Sequence, residues 1–375
     1  MAGKLDKLEA LRGAAALYVV FHHTIPYDSR LFNLPVGHLM RFGQEAVILF
    51  FLLSGFVINY SFKLSKNKQF GNYFAKRFCR IYIPLVAVIV VSYFTESYEA
   101  GAFLGPNIPN LLGNLFMLQD WSVANPNVLV DPYMDNGPLW SLSYEWWFYM
   151  LFFPLCTFVK NTSYTNTIAF GLSIVAAFTY IFYPYFVVRI FMYLAIWWVG
   201  AYIGALYLEN RHREFRALLV PCGVLAVIVV ALSINVYVFV NSTDEKLFFG
   251  IHPFNELRHF VFALIAIVGG WVWLKTGWIF YKATLHHFRL LAPVSYAMYI
   301  CHDPIMREAT YLAFIQNPVF RWLCYFLIML LVSYIIEILI YPAARRWLQP
   351  KLEGLFSRGK RLETPNKTAS EKFVR

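Results

Sequence analysis

A chain of 375 residues that is 59% hydrophobic and 14% charged, with a mean hydropathy of +0.53, has more apolar surface than a soluble core can hide. The composition excludes an ordinary soluble enzyme and predicts an all-α polytopic membrane protein. The net charge of +11 would suit nucleic acid, but the cations fall between apolar runs, where they report topology; no nucleic-acid partner is expected.

Apolar windows predict ten transmembrane helices. The first, 8–25, ends in His22-His23 without a small-residue cleavage site, so no cleavable leader is expected. It carries Arg12 at its start and His23 near its end. Eleven residues at 100° each return to within about 20° of the same face, and the two side chains stand roughly 16 Å apart along the helix. His22 points about 80° away. One face therefore offers a cation at its base and an imidazole at its top, a shape suited to an elongated ligand with an anionic head and a reactive tip. The second span is 43–62, and the third, 81–97, is preceded by KRFCRIYIPL. There Arg77 and Arg80 are helix neighbours whose forks suit phosphate.

A polar loop, 98–137, leads to the fourth span, 138–158, opened by Asn136-Gly137-Pro138. Ser141, Glu145 and Tyr149 share one of its faces. A buried carboxylate needs a partner, either a histidine of another span or an arginine such as Arg189 or Arg258. Spans five to eight are 165–183, 186–208, 217–240 and 257–274. The ninth, 290–308, places Ser295, Tyr299 and His302 on one face, and the tenth is 320–341. Residues 346–375 read as a basic, disordered tail. With the N-terminus inside, the inner segments carry 25 of the 32 lysines and arginines, so both termini are expected in the cytoplasm, with His23, Glu145 and His302 in the outer half. Five scattered cysteines without a CxxC suggest neither disulfides nor zinc, and no metal site is expected.

These segments resemble the acyltransferase-3 family of integral membrane sugar O-acyltransferases. The likeness rests on Arg12 and His23 at their eleven-residue separation, FFLLSGF at Phe50–Phe56, the Arg77/Arg80 pair before IYIP, WSLSYEWWFY at Trp140–Tyr149 and SYAMYICH at Ser295–His302. Ala46-Val47 stands where the family often has Gly-Val. The resemblance implies an acyltransferase domain over 1–345 in a bacterial cytoplasmic membrane. It further implies acyl-CoA, most often acetyl-CoA, as a donor substrate rather than a permanently bound cofactor. The acceptor is then an extracytoplasmic saccharide, a polysaccharide or its lipid-linked precursor. His23 would be catalytic with Glu145 orienting it, Arg12, Arg77 and Arg80 would serve the CoA side, and Ser141, Ser143, Tyr299 and His302 are candidates for acceptor binding. Direct transfer and a two-step route through acylated His23 both fit. The rival class is a transporter or flippase for an anionic or lipid-linked sugar, disfavoured by the lack of repeat symmetry.

Overall fold

The computed structural model describes residues 5–30, 35–159, 161–244, 246–307 and 309–358. Among them it is a helical bundle: α1 (Asp6–Thr24), α2 (Val36–Leu39), α3 (Gly43–Leu64), α4 (Phe70–Glu99), α5 (Ile108–Leu115), α6 (Trp140–Phe158), α7 (Thr162–Tyr180), α8 (Phe186–Leu208), α9 (Phe215–Ser242), α10 (Phe254–Lys275), α11 (Ser295–Met306), α12 (Pro318–Tyr334) and α13 (Tyr341–Arg358). Six helical segments are long and apolar enough to cross a bilayer: 36–64, 70–99, 186–208, 215–242, 254–275 and 318–356. Large apolar side chains such as Val227, Val230 and Tyr237 of α9, and Leu323, Leu327 and Leu331 of α12, are exposed on the outside of the bundle, as a lipid-facing surface requires.

The predicted spans map onto these helices with informative differences. α4 begins eleven residues before the third span, so Arg77 and Arg80 lie inside a continuous helix. The ninth span becomes only the twelve-residue α11, about 18 Å long, preceded by turns and a short 3₁₀ segment, His286–Leu290. The tenth runs on through a π-turn, Ile335–Ile340, into α13, which reaches Arg358. Residues 346–358 are thus helical rather than a disordered tail. Phe356 explains this: it packs on Phe70 and Phe74 of α4, and a Cβ at Gly71 would stand 2.7 Å from its own. The remaining tail, from 359 on, lies outside the described residues.

Close backbone approach sets the centre of the bundle. At Gly55 of α3 a Cβ would meet the Trp197 carbonyl oxygen at 1.9 Å, and at Gly200 of α8 it would meet the Leu52 carbonyl oxygen at 2.0 Å. Small residues at facing positions are how helices approach closely in an apolar medium. Asn59 Nδ2 adds a bond to the Ala201 carbonyl at 2.6 Å.

A second feature ties the polar loop to the helices. Arg189, buried on α8, donates to Asp120 Oδ2 at 2.7 and 3.0 Å, to Tyr180 at 3.0 Å and to the Pro126 carbonyl at 3.2 Å. Tyr144 of α6 donates to the same Asp120 oxygen at 2.7 Å, and Tyr180 of α7 donates to Glu256 of α10 at 2.6 Å. Asp120 also orders its own loop, accepting from Trp121 N and Asn125 Nδ2.

Two stability predictions follow. Arg189→Met leaves the Asp120 carboxylate buried without its counter-charge, a loss of about 3–5 kcal/mol that thermal unfolding in detergent will register, whereas Asp120→Leu/Arg189→Met recovers part of it. Gly200→Leu, which has no room against Leu52, should abolish a monodisperse elution profile, while Gly171→Leu, which meets nothing within 4 Å, leaves it intact.

Candidate functional site

Two cavities lie along α1 and share Val47 and Tyr299 in their walls. Arg12 lines the first and Val19, His22 and His23 the second, so one helix spans both.

The first cavity, about 180 Å³, gathers Arg12, Arg77, Arg80, Ser141, Glu145 and Tyr149. Arg12 reaches Ser295 Oγ at 3.5 Å. Arg77 faces the rings of Tyr73 and Tyr149, each 5.8 Å from its guanidinium carbon, and its buried Nε has no hydrogen-bond partner among the described residues. Arg80 donates to Glu337 Oε2 at 2.7 Å and lies over Tyr296. Glu145 Oε1 accepts from Ser54 Oγ at 2.7 Å and from the Tyr149 hydroxyl, and Trp197 Nε1 donates to Ser54 at 3.2 Å. Three guanidinium groups against two carboxylates, with donors to spare, form an end suited to an anion.

The second cavity, about 380 Å³, is walled by the end of α1, the starts of α3 and α6, and the loops carrying Trp121 and Phe249. The His23 ring lies 5.1 Å from that of His302, centre to centre. His302 is fully buried, its Nδ1 3.3 Å from the Met298 carbonyl and its Nε2 without a hydrogen-bond partner among the described residues. A backbone carbonyl at Nδ1 assigns the proton to that nitrogen in the neutral ring, which leaves the Nε2 lone pair free. Asp303 completes the group: one potential ligand atom each from His23, His302 and Asp303 lie within 4.8 Å of one another. The trio could accept a metal ion, but coordination would consume the His23 lone pair. Asp303 Oδ2 also accepts from Gly137 N at 3.1 Å, which anchors the start of α6 to the end of α11.

A family model described as an acyltransferase domain matches residues 5–338. The chain belongs to the acyltransferase-3 family. The chain is also 31% identical over 155 residues to the acyltransferase MdmB of Streptomyces mycarofaciens, a stretch covering 40% of this chain and 38% of that protein. No solved structure matches it.

The candidate residues divide as follows. Arg12, Arg77 and Arg80 come together as expected. Glu145 joins them instead of His23: Trp140 faces the histidine cavity while Ser141, Glu145 and Tyr149, farther along α6, face the arginines. Neither of the arginines named as alternatives holds it, since Arg189 pairs with Asp120 and Arg258 with Glu45. Ser141 and Tyr299 hydrogen-bond each other at 2.9 Å on the boundary between the cavities. Ser143 lines neither; its buried hydroxyl donates to the Gln119 and Trp140 carbonyls. His302 stands behind His23 rather than open to a ligand. His22, expected to face elsewhere, does line the His23 cavity, but its Nδ1 is 2.5 Å from the Met40 carbonyl and its ring packs on Gly43.

Three contributors escape the sequence reading. Ser54 sits in an apolar run where its bond to Glu145 leaves no periodic trace. Glu337 is a lone acid in the apolar SYIIEILIY run, a signal that was available. Asp303 reads as a helix-end residue beside proline until the fold brings it to His23. Ser54→Ala and Tyr149→Phe should each cost about 1.5–3 kcal/mol, as each removes a bond to a charged acceptor. Because both end on one oxygen, their combined loss in thermal unfolding should depart from the sum; simple additivity would show that the two hydroxyls act independently.

Proposed function

We propose that this acyltransferase is a membrane O-acyltransferase that moves an acyl group, most often acetyl, from cytoplasmic acyl-CoA to a hydroxyl of an extracytoplasmic saccharide, a surface polysaccharide or its lipid-linked precursor. The observation that carries the reading is the pair of cavities that abut at Val47 and Tyr299, arginine-lined at one end of α1 and histidine-lined at the other. We place the protein in a bacterial cytoplasmic membrane, with ten passages and both termini inside, on the distribution of its cations.

The anionic nucleotide of the donor binds Arg12, Arg77 and Arg80, with Glu337 holding Arg80 and Glu145 balancing the cluster. The acyl-bearing arm extends along α1 past Val47 and Tyr299 until its thioester reaches His23. There the imidazole takes the proton of the acceptor hydroxyl as its oxygen attacks the thioester carbonyl. The tetrahedral adduct collapses, the C–S bond breaks, and the proton on His23 passes to the departing thiolate, leaving an O-acyl ester and CoA. The free lone pair of His302 and the Asp303 carboxylate stabilise His23 when it carries the proton. An acyl-His23 intermediate uses the same groups in two steps. In either case the acyl group crosses while CoA stays on its own side.

His23→Ala should reduce transfer by about 10²–10⁴-fold, the usual contribution of a general base. It should retain the rise in melting temperature that acetyl-CoA produces in the parent. His22→Ala, whose ring is committed to Met40, should lose much less. Arg77→Ala/Arg80→Ala should shrink the acetyl-CoA shift. No shift in the parent at any concentration would overturn the donor assignment and bring forward transport of an anionic or lipid-linked sugar.

A further inference from the structure

The histidine cavity contains cationic groups that the transfer chemistry does not use. Arg41, just before α3, and Arg258, on α10, both line it, and both guanidinium groups lie against the same ring: their central carbons are 4.5 and 3.3 Å from the Phe249 centroid. Two cations against one ring are no farther apart than those distances combined, and in a part-buried setting they repel. Among the described residues only Arg258 has an acid. Arg258 donates through Nη2 to Glu45 Oε1. Its Nη1 is buried without a hydrogen-bond partner among the described residues, in a side chain that is only 10% exposed. Arg41 touches the Tyr27 hydroxyl at 3.4 Å and the Tyr27 and Phe249 rings, and among the described residues no carboxylate comes within ion-pair distance of it. Arg307, the third arginine of this wall, is already engaged by Asp303 at 3.4 Å.

A buried guanidinium N–H left unpaired beside a second cation carries a desolvation cost, and an anion relieves it best because it supplies the acceptor and the opposing charge together. The two forks border the chamber that holds His23, and Trp121 and Trp140 supply flat apolar walls to the same space. Trp147 of α6 and Trp197 of α8 are elsewhere: Trp197 is fully buried and bonded to Ser54, and Trp147 donates to the Met117 carbonyl.

We propose that Arg41 and Arg258 form an anion subsite that selects an acidic acceptor, a saccharide bearing a carboxylate or a phosphate, and fixes its hydroxyl before His23. This rests on the acyltransferase reading for the identity of the chamber, but the subsite is tested by binding alone. An anion bridging the two forks relieves their repulsion and satisfies Arg258 Nη1, whereas a neutral sugar can offer an acceptor but leaves the two cations uncompensated.

The test is the thermal shift of the purified full chain with glucose, glucuronate and glucose 1-phosphate, each against potassium chloride at matched ionic strength. Arg41→Gln is the primary variant, because among the described residues Arg41 has no acid to orphan. Glu45→Gln/Arg258→Gln removes both members of the buried pair together. Glucuronate, glucose 1-phosphate or both should raise the melting temperature with concentration while glucose does not. The apparent affinity should fall at least about tenfold in each variant, the effect of losing roughly 1.4 kcal/mol. A shift with glucuronate alone assigns a uronate-type carboxylate, and one with glucose 1-phosphate alone assigns a phosphate. Equal shifts with glucose or chloride, or an anion shift that survives in both variants, overturn the subsite. The acetyl-CoA shift is read in the same samples: it should persist in Arg41→Gln. Its absence from the parent defeats the donor assignment without touching the anion result.

Discussion

The Arg189–Asp120 ion pair is the constraint on which the architecture around the histidine cavity depends. In an apolar medium a buried charge persists only when paired and hydrogen-bonded, and here every guanidinium nitrogen has an acceptor. The pair draws on the polar loop, α6, α7 and α8 at once, and through Tyr180 it reaches Glu256 of α10. The loop residues it fixes are neighbours of Trp121, Val123 and Ala124, which wall the histidine cavity. A long polar segment that would otherwise be free to move thereby becomes a rigid part of the site.

Beneath that layer, α3 and α8 approach backbone to backbone, and the dipeptide Ser54-Gly55 serves two purposes. The glycine admits the Trp197 carbonyl, and the serine beside it links the Trp197 indole to the Glu145 carboxylate. Packing and electrostatics at the arginine cavity are therefore set by adjacent atoms of one turn. This accounts for a polar residue inside an otherwise apolar FFLLSGF run.

Much of this was legible in the sequence, and the failures have physical causes. Most helix positions followed from hydropathy because lipid permits little else, and Arg77 and Arg80 are neighbours by helical spacing, while Arg12 was joined to them by depth. The facing of Arg12 and His23 along α1 was likewise a matter of arithmetic on one helix. Relations between helices were not so fixed. Glu145 and His23 were matched by depth, yet depth says nothing of azimuth, and α6 turns Glu145 toward the arginines. His22 was assigned away from the site by its angle, but a cavity wraps more of a helix than a single face. The helical reach of α13 was missed because its composition is polar; what holds it is packing on α4, including Phe356 against Phe70, Gly71 and Phe74.

The boundary between the two cavities has a consequence for the energised state of the bilayer. In the proposed topology the two chambers face opposite sides of the bilayer, where a continuous file of water between them would conduct protons and dissipate the ion gradient. What stands between them is the Val47 side chain, which offers no hydrogen bond, and the Tyr299 hydroxyl, held by Ser141 at 2.9 Å and by the Pro138 carbonyl at 3.0 Å. A hydroxyl so committed is a poor relay. On the proposed function, the same two residues past which the donor's arm extends also keep the membrane electrically tight when no chain is there.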